Sequence, residues 1–235
     1  MPGPVPSPYS PEFYARIRQL SRSSAEVIVP RVVELLRPTS VVDVGCGTAD
    51  FLAVFVENGV GDVVGVDGPH VPPGELEIAE ENFVTADLTE SINLSRSFDL
   101  VVSLEVAEHL PADSADAFVR SLTTMGPGVL FSAAIPHQGG VHHVNEQWPD
   151  YWARRFAEQG YVALDCLREH LWNDQRVAWW YAQNVLLFVQ EDALGRYSSL
   201  SHARPLRPEE VRSLVHPQRL LDVVEWVATL MEESG

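Results

Sequence analysis

The chain has 235 residues, a length that suits one sizeable α/β core and is short for two. Its 33 acidic residues against 16 basic ones leave a formal net charge of −17, which argues against a nucleic-acid partner because affinity for phosphate backbones comes mostly from Lys and Arg. No apolar run approaches the ~20 residues of a membrane span, the proline-rich start is not a signal peptide, and two distant cysteines imply neither a disulfide framework nor a zinc knuckle. A soluble cytoplasmic protein with a small-molecule partner is expected.

In chain order, residues 1–10 (MPGPVPSPYS) are expected to be flexible. Residues 11–37 predict two cap helices. The first runs from Pro11 to Arg22 with Phe13, Ile17 and Leu20 on one face; the second runs through Val27 to Leu36 behind a Ser23-x-x-Glu26 capping box, with Pro30 kinking or delaying it. The core, 38–190, then alternates strand and helix, with strands near 40–45, 62–67, 82–86, 98–103, 128–134, 161–166 and 183–190. This alternation predicts an α/β fold: a doubly wound, mostly parallel seven-stranded sheet with helices on both faces. Residues 191–235 form a C-terminal extension whose last helix carries Leu220, Leu221, Val224, Val227 and Met231 at helical spacing, as a core element or a homodimer contact. No internal repeat or second domain is visible, so 1–235 is read as one domain.

The most telling segment is VVDVGCGTADF, Val41 to Phe51. A buried β-branched strand that stops at a tight glycine turn and feeds a helix leaves backbone N–H groups aimed at a ligand. It is not a dinucleotide fingerprint, because Asp50 stands where G-x-G-x-x-G has its last glycine, nor a phosphate loop, because the G-K-[ST] ending is missing. The chain has no lysine at all, which also excludes a Schiff base.

Four segments together resemble the class I S-adenosylmethionine (SAM) methyltransferases, over roughly Thr39 to Gln190. VVDVGCGTADF looks like the family's first motif, VVGVDG (Val63 to Gly68) like its second strand ending in an acid, FVTADLTE (Phe83 to Glu90) like the acid that reads the adenine, and FDLVVSLEVAEHL (Phe98 to Leu110) like its fourth strand. The resemblance implies a Rossmann-like fold with an antiparallel last strand, SAM as cofactor, and leading helices that cover it. The residues agree with this on physical grounds. Gly45 and Gly47 allow close backbone approach around Cys46, while Asp67, about 20 residues on and followed by Gly68, suits the ribose diol. Asp87 suits the adenine amine, with Ala86 and Leu88 lining the ring, and Asp43 is expected to fix the glycine loop. Leu104 completes the expected cofactor contacts. The alternative, that these acids cap helices or end turns, stays open.

Glu105, Glu108 and His109 form E-x-x-E-H after the fourth strand. On a helix, positions i, i+3 and i+4 share a face, so the three heads would converge as the start of a site for Mg²⁺, Mn²⁺ or Fe²⁺. The same pattern occurs among ubiquinone-biosynthesis O-methyltransferases and small-RNA terminal 2′-O-methyltransferases. The resemblance to the RNA enzymes implies a further histidine ligand beyond the fifth strand. His143, which precedes Glu146 and Trp148, is the first choice and His142 the second, with His137 also in the loop. A metal-free histidine base, His109 or His143, and a purely structural cluster remain alternatives. Trp148, Tyr151, Trp152, Trp172, Trp179, Trp180 and Tyr181 are expected to serve partly as core and partly as a wall for the acceptor. The leading expectation is O-methylation of a small-molecule hydroxyl on a secondary metabolite or sugar, with Glu105, His109 and His143 as catalytic residues. The alternatives are N- or C-methylation, a SAM-assisted cyclisation, or a non-catalytic SAM-binding subunit.

Overall fold

The computed structural model describes residues 11–233; residues 1–10, expected to be flexible, lie outside the described residues, as do the side chains of residues 11–17, Pro73, Trp226, Leu230, Glu232 and Glu233. Seven strands form one sheet: β1 (Ser40–Val44), β2 (Asp62–Asp67), β3 (Phe83–Thr85), β4 (Leu100–Leu104), β5 (Gly128–Ser132), β6 (Tyr161–Leu164) and β7 (Leu186–Gln190), in the order β3-β2-β1-β4-β5-β7-β6. β1 to β5 are mutually parallel, and β7 runs antiparallel to both β5 and β6. Central strands such as VVDV and LVVSL are buried on both faces, which explains their unbroken apolar character. The strand order reverses between β1 and β4. In open α/β sheets, ligands bind at such a switch point, outside the carboxyl ends of the strands.

The helices are α1 (Pro11–Leu36), α2 (Asp50–Glu57), α3 (Ala115–Met125), α4 (Pro149–Glu158), α5 (Arg168–Leu171), α6 (Trp179–Asn184) and α7 (Pro217–Glu233). Here the first correction arises, because α1 is one continuous helix and not two. The expected capping box lies mid-helix: Ser23 Oγ donates to the Arg176 carbonyl at 2.7 Å instead of capping. Ser24 back-bonds to the Leu20 carbonyl at 2.6 Å and accepts the Ala178 N–H at 2.9 Å. Ala25, Ile28, Val29, Val32 and Leu36 continue the apolar stripe past Pro30 into the core shared with α2. Packing of that stripe outweighs the one backbone hydrogen bond that Pro30 removes.

On the other face, Phe156 of α4 stacks on Phe188 of β7 with ring centroids 4.0 Å apart, and Phe131 and Trp152 complete the cluster. Full burial of each such side chain contributes roughly 1.5–3 kcal/mol. Beyond β7 the extension returns to the sheet. Leu206 donates its N–H to the Ala163 carbonyl at 2.9 Å, pairing with β6 as a single bridge. Buried Arg168 grips Asp165 through two bonds of 2.9 and 2.6 Å and donates to the carbonyls of Gln183 and Arg212, tying the extension to α6. No described helix is long and apolar enough to cross a membrane.

Candidate active site

β1 ends in a turn built from three left-handed residues, Gly45 (φ 83°), Gly47 (φ 54°) and Ala49 (φ 66°). Gly45 needs glycine twice over: a Cβ there would also lie 2.3 Å from Val106 Cγ2. At Gly47 a Cβ would meet nothing within 4 Å, and this open side borders a cavity of about 1000 Å³ at the switch point. Asp67, at the end of β2, accepts the Gly47 N–H at 2.6 Å on one oxygen and the Gly68 N–H at 2.6 Å on the other. The carboxylate that holds the glycine loop is therefore Asp67, where Asp43 was expected to do so. Asp43 is buried, and burial, then Asp67 and Asp50, push its carboxyl well above the usual range. Two neighbouring acids in a dry crevice favour a cationic guest.

The cavity is lined by Gly45, Gly47, Asp67, Gly68, Asp87 and Leu88 on its β1–β3 side. Cys46 and Leu104 do not line it. The Cys46 Sγ packs on Gly65, and Leu104 is buried at the end of β4, so neither side chain, both expected at the cofactor, lines the cavity. Asp87 is exposed and accepts the Thr89 N–H at 2.9 Å and the Thr89 hydroxyl at 2.7 Å, a turn in its own right. His70 went unnoticed in the sequence. Its Nε2 lies 3.5 Å from Asp67 Oδ1 and its ring covers Gly68, so it borders the same wall. A lone histidine after a strand carries no sequence signal; only the fold brings it back to Asp67.

Across the crevice, the E-x-x-E-H segment is not the α-helix assumed above. Glu105 sits at φ 56° with its N–H held by the Ser132 carbonyl at 3.0 Å, and only Ala107–His109 form a 3₁₀ turn. The three heads therefore do not share one helical face, although the Glu105 and Glu108 carboxylates still lie close enough to interact. The Glu105 carboxylate accepts Gln138 Nε2 at 2.8 Å and Asn184 Nδ2 at 3.1 Å, within a buried amide network that includes Gln183. Burial raises its pKa against the pull of these donors. Glu108 pairs up differently: ligand atoms of Glu108, His109 and His143 lie within 4.8 Å of one another. Among the described residues these three form the metal-type cluster, and Glu105 and His142 stand outside it.

Glu108 is fully buried, and neither carboxylate oxygen meets a donor at good hydrogen-bonding geometry; its polar neighbours are the backbone of Ala134 and of Glu108 itself and the Glu105 carboxylate. Burial, then the charge of Glu105, pushes its pKa well up. A buried acceptor without a well-placed donor costs about 1–3 kcal/mol, more when charged, so the fold retains it at a loss that a bound cation would reverse. His109 is held below the ordinary imidazole range by burial and then by His143, whose ring meets it edge-on at 4.8 Å; a neutral imidazole is the form that ligates. The histidine loop is strained at His137 (φ 66°) and His142 (φ 58°), while Gly139 (φ 74°) takes its left-handed position without cost. Glu146 clamps it by accepting the His137 N–H at 2.7 Å, the Gly139 N–H at 2.9 Å and His143 Nδ1 at 2.9 Å. That leaves His143 Nε2 as the free ring nitrogen, and orienting a ligand histidine through its other nitrogen is the usual second partner of such sites. Two histidines and one carboxylate suit Fe²⁺, Mn²⁺ or Zn²⁺ better than Mg²⁺. The expected aromatic wall is absent from the cavity. Trp152 is core, Tyr181 packs on Phe51, and Trp148 is exposed.

A methyltransferase domain model matches residues 14–196, most of the chain. The chain belongs to that family. It is a SAM-dependent methyltransferase of class I fold. Among solved structures, the methyltransferase resembles the magnesium protoporphyrin IX methyltransferase from Synechocystis PCC 6803 with bound S-adenosylhomocysteine (TM-score 0.55, 19% identity, 76% of this chain and 88% of that one). The methyltransferase domain of a bacterial Hen1 gives a TM-score of 0.52 at 18% identity over 72% and 97% of the two chains. The mitomycin 7-O-methyltransferase MmcR gives 0.52 at 13% identity over 77% and 58%. No curated protein matches the sequence.

Proposed function

We propose that the enzyme methylates a hydroxyl of a small-molecule acceptor, a secondary metabolite or sugar, with a divalent ion held by Glu108, His109 and His143. The observation that carries this reading is the buried Glu108 carboxylate, which meets no donor at good hydrogen-bonding geometry and groups within 4.8 Å with His109, which lines the cavity, and His143, which does not. SAM, when bound, supplies a methyl group on a sulfonium, and the ion, when bound, lowers the pKa of the acceptor hydroxyl. The chain's own residues do the rest by positioning, the main source of rate in such a displacement. Asp67 offers its remaining lone pairs to the ribose hydroxyls, and Asp87 faces the adenine with Ala86 and Leu88. His70 closes the ribose wall. Glu105, fixed by its amides, shapes the acceptor side of the cavity.

The charge of −17 and the absence of lysine support a small acceptor over RNA. One observation favours a second, metal-free reading: the Glu146–His143 pair is arranged as a carboxylate-oriented base, with His143 Nε2 free to take the hydroxyl proton. The test is methyl transfer to a panel of phenols and sugars, read as product mass and site of methylation, with metal content determined on the purified protein. Chelation should abolish turnover and leave SAM affinity in place, with Mn²⁺ or Fe²⁺ restoring it. Full turnover by chelated enzyme would establish the histidine base instead, and an N- or C-methylated product would refute O-methylation.

A further inference from the structure

The apolar stripe expected of the last helix does not enter the core: Leu220, Leu221, Val224, Val227 and Met231 are exposed. Its first turn, by contrast, reaches the β4–β5 wall of the active site at two places. Arg219 Nη2 donates to the His137 carbonyl at 2.5 Å and lies over Gly139, where a Cβ would come within 3.7 Å of it. His137 is one of the strained residues of the histidine loop, and Arg219 holds its carbonyl while Glu146 holds its N–H. At the second place the His216 N–H donates to Gln183 Oε1 at 2.8 Å. A backbone N–H can only donate, so it fixes which way the Gln183 amide faces. Gln183 Nε2 then donates to Gln138 Oε1 at 3.1 Å, and Gln138 Nε2 is left to serve Glu105. His216 is itself locked, its Nε2 donating to the Trp172 carbonyl at 2.9 Å and its Nδ1 accepting the Gln218 N–H at 3.2 Å.

We propose that the start of α7 belongs to the catalytic apparatus, with Arg219 as a positioning residue that sets the histidine loop for methyl transfer. This role rests on the reading of His143 as a ligand or base. The path from Arg219 to that ring is short: guanidinium to the His137 carbonyl, His137 N–H to Glu146, and Glu146 to His143 Nδ1. A hydrogen bond from a guanidinium is charge-assisted and stronger than a neutral one, which suits a left-handed loop residue that no helix or strand ladder holds. Because an ionised Glu146 can only accept, His143 Nδ1 carries the ring proton and Nε2 is the nitrogen left to act. That tautomer persists only while the loop keeps Glu146 in place. Arg219 and His216 both lie beyond residues 14–196, so the chain braces its site with a segment outside the part that matches the methyltransferase domain.

The test reads the His143 ring by long-range proton–nitrogen correlation NMR in chelated full-length protein without acceptor, the signal being assigned from a His143→Gln variant. Neither an ion nor an acceptor enters this measurement, so failure of the metal or hydroxyl reading leaves it intact. At about pH 9, above the ordinary imidazole range, the native ring should show the single Nδ1–H tautomer. Arg219→Ala should show a mixture of both tautomers. Its SAM affinity should stay within about twofold of native, while methyl transfer to the acceptor found in the panel falls about 10–100-fold, the range for residues that orient a site from behind. Arg219→Lys, which keeps a charged donor, should restore most of the tautomer and of the transfer. A fixed Nδ1–H tautomer in Arg219→Ala would overturn the proposal. So would loss of SAM affinity in both variants, because Arg219 would then hold up the fold and not the loop.

Discussion

The two walls of the active-site cavity are built on opposite terms. On the β1–β2 side the glycine loop is held by the fold itself: Asp67 takes two backbone N–H groups, each at 2.6 Å, and the glycine turn hangs from the Val66 carbonyl. On the β4–β5 side the chain buries a carboxylate with no well-placed donor, beside two histidines on a loop with three left-handed residues. A cradle for an invariant cofactor can be finished by the fold itself. On the proposed reading the guest of the other wall is an ion, for which a site is left unfinished, and a single carboxylate, Glu146, holds its loop.

The comparison predicts where damage falls. Gly45→Val should have the largest effect, because the side chain meets Val106 at the position where Gly45 sits at φ 83°; overpacking costs about 1–3 kcal/mol and the left-handed backbone about 1–2 more. SAM binding should be undetectable by calorimetry in a variant that is measurably less stable. Asp67→Ala leaves the Gly47 and Gly68 N–H groups without their acceptor and should weaken SAM binding by about 1.5–3 kcal/mol; an unchanged Kd removes Asp67 from the site.

Glu108→Met should act in the opposite sense on the other wall. In metal-free protein at pH 7 it should raise the unfolding free energy by about 1–3 kcal/mol while abolishing metal uptake. The sign follows from the pKa: a carboxyl raised on folding costs stability above its unfolded pKa and costs none once both states are protonated. The gain should therefore shrink as pH falls toward the ordinary carboxylate range, in denaturant titrations at several pH values. A destabilised Glu108→Met protein at pH 7 would show that the site is finished after all. Smallest of these, Glu146→Gln keeps an acceptor for one amide but loses the charge that orients His143. It should lower metal affinity about 10–100-fold and leave SAM affinity alone.

The seven strands were legible because β-branched runs bounded by glycine turns have few other solutions. α1 was misread, since Pro30 and a capping-box pattern are local signals and the stripe from Ala25 to Leu36 is a tertiary one. The site followed the same division. Its residues could be picked out from E-x-x-E-H and the histidine loop, but their grouping could not, because it depends on the backbone of Glu105, and φ 56° is invisible in a sequence read as helix. Gln138, Gln183 and Asn184 were missed for a different reason: the amides that serve this carboxylate come from the loop after β5 and from the end of α6, 45 residues apart, with no pattern that links them.

The bridge between Leu206 and Ala163 has one more consequence. An open sheet carries two edges, and an exposed edge is a template on which another chain can add a strand. Here β6 is covered at its middle by the extension. At the far edge, β3 is only three residues long. Neither margin offers a ladder long enough to recruit a neighbour. A truncation ending with the family's domain at residue 196 would uncover the β6 margin and leave Arg168 without the Arg212 carbonyl, so the shortened protein should be prone to aggregate where the full chain is not.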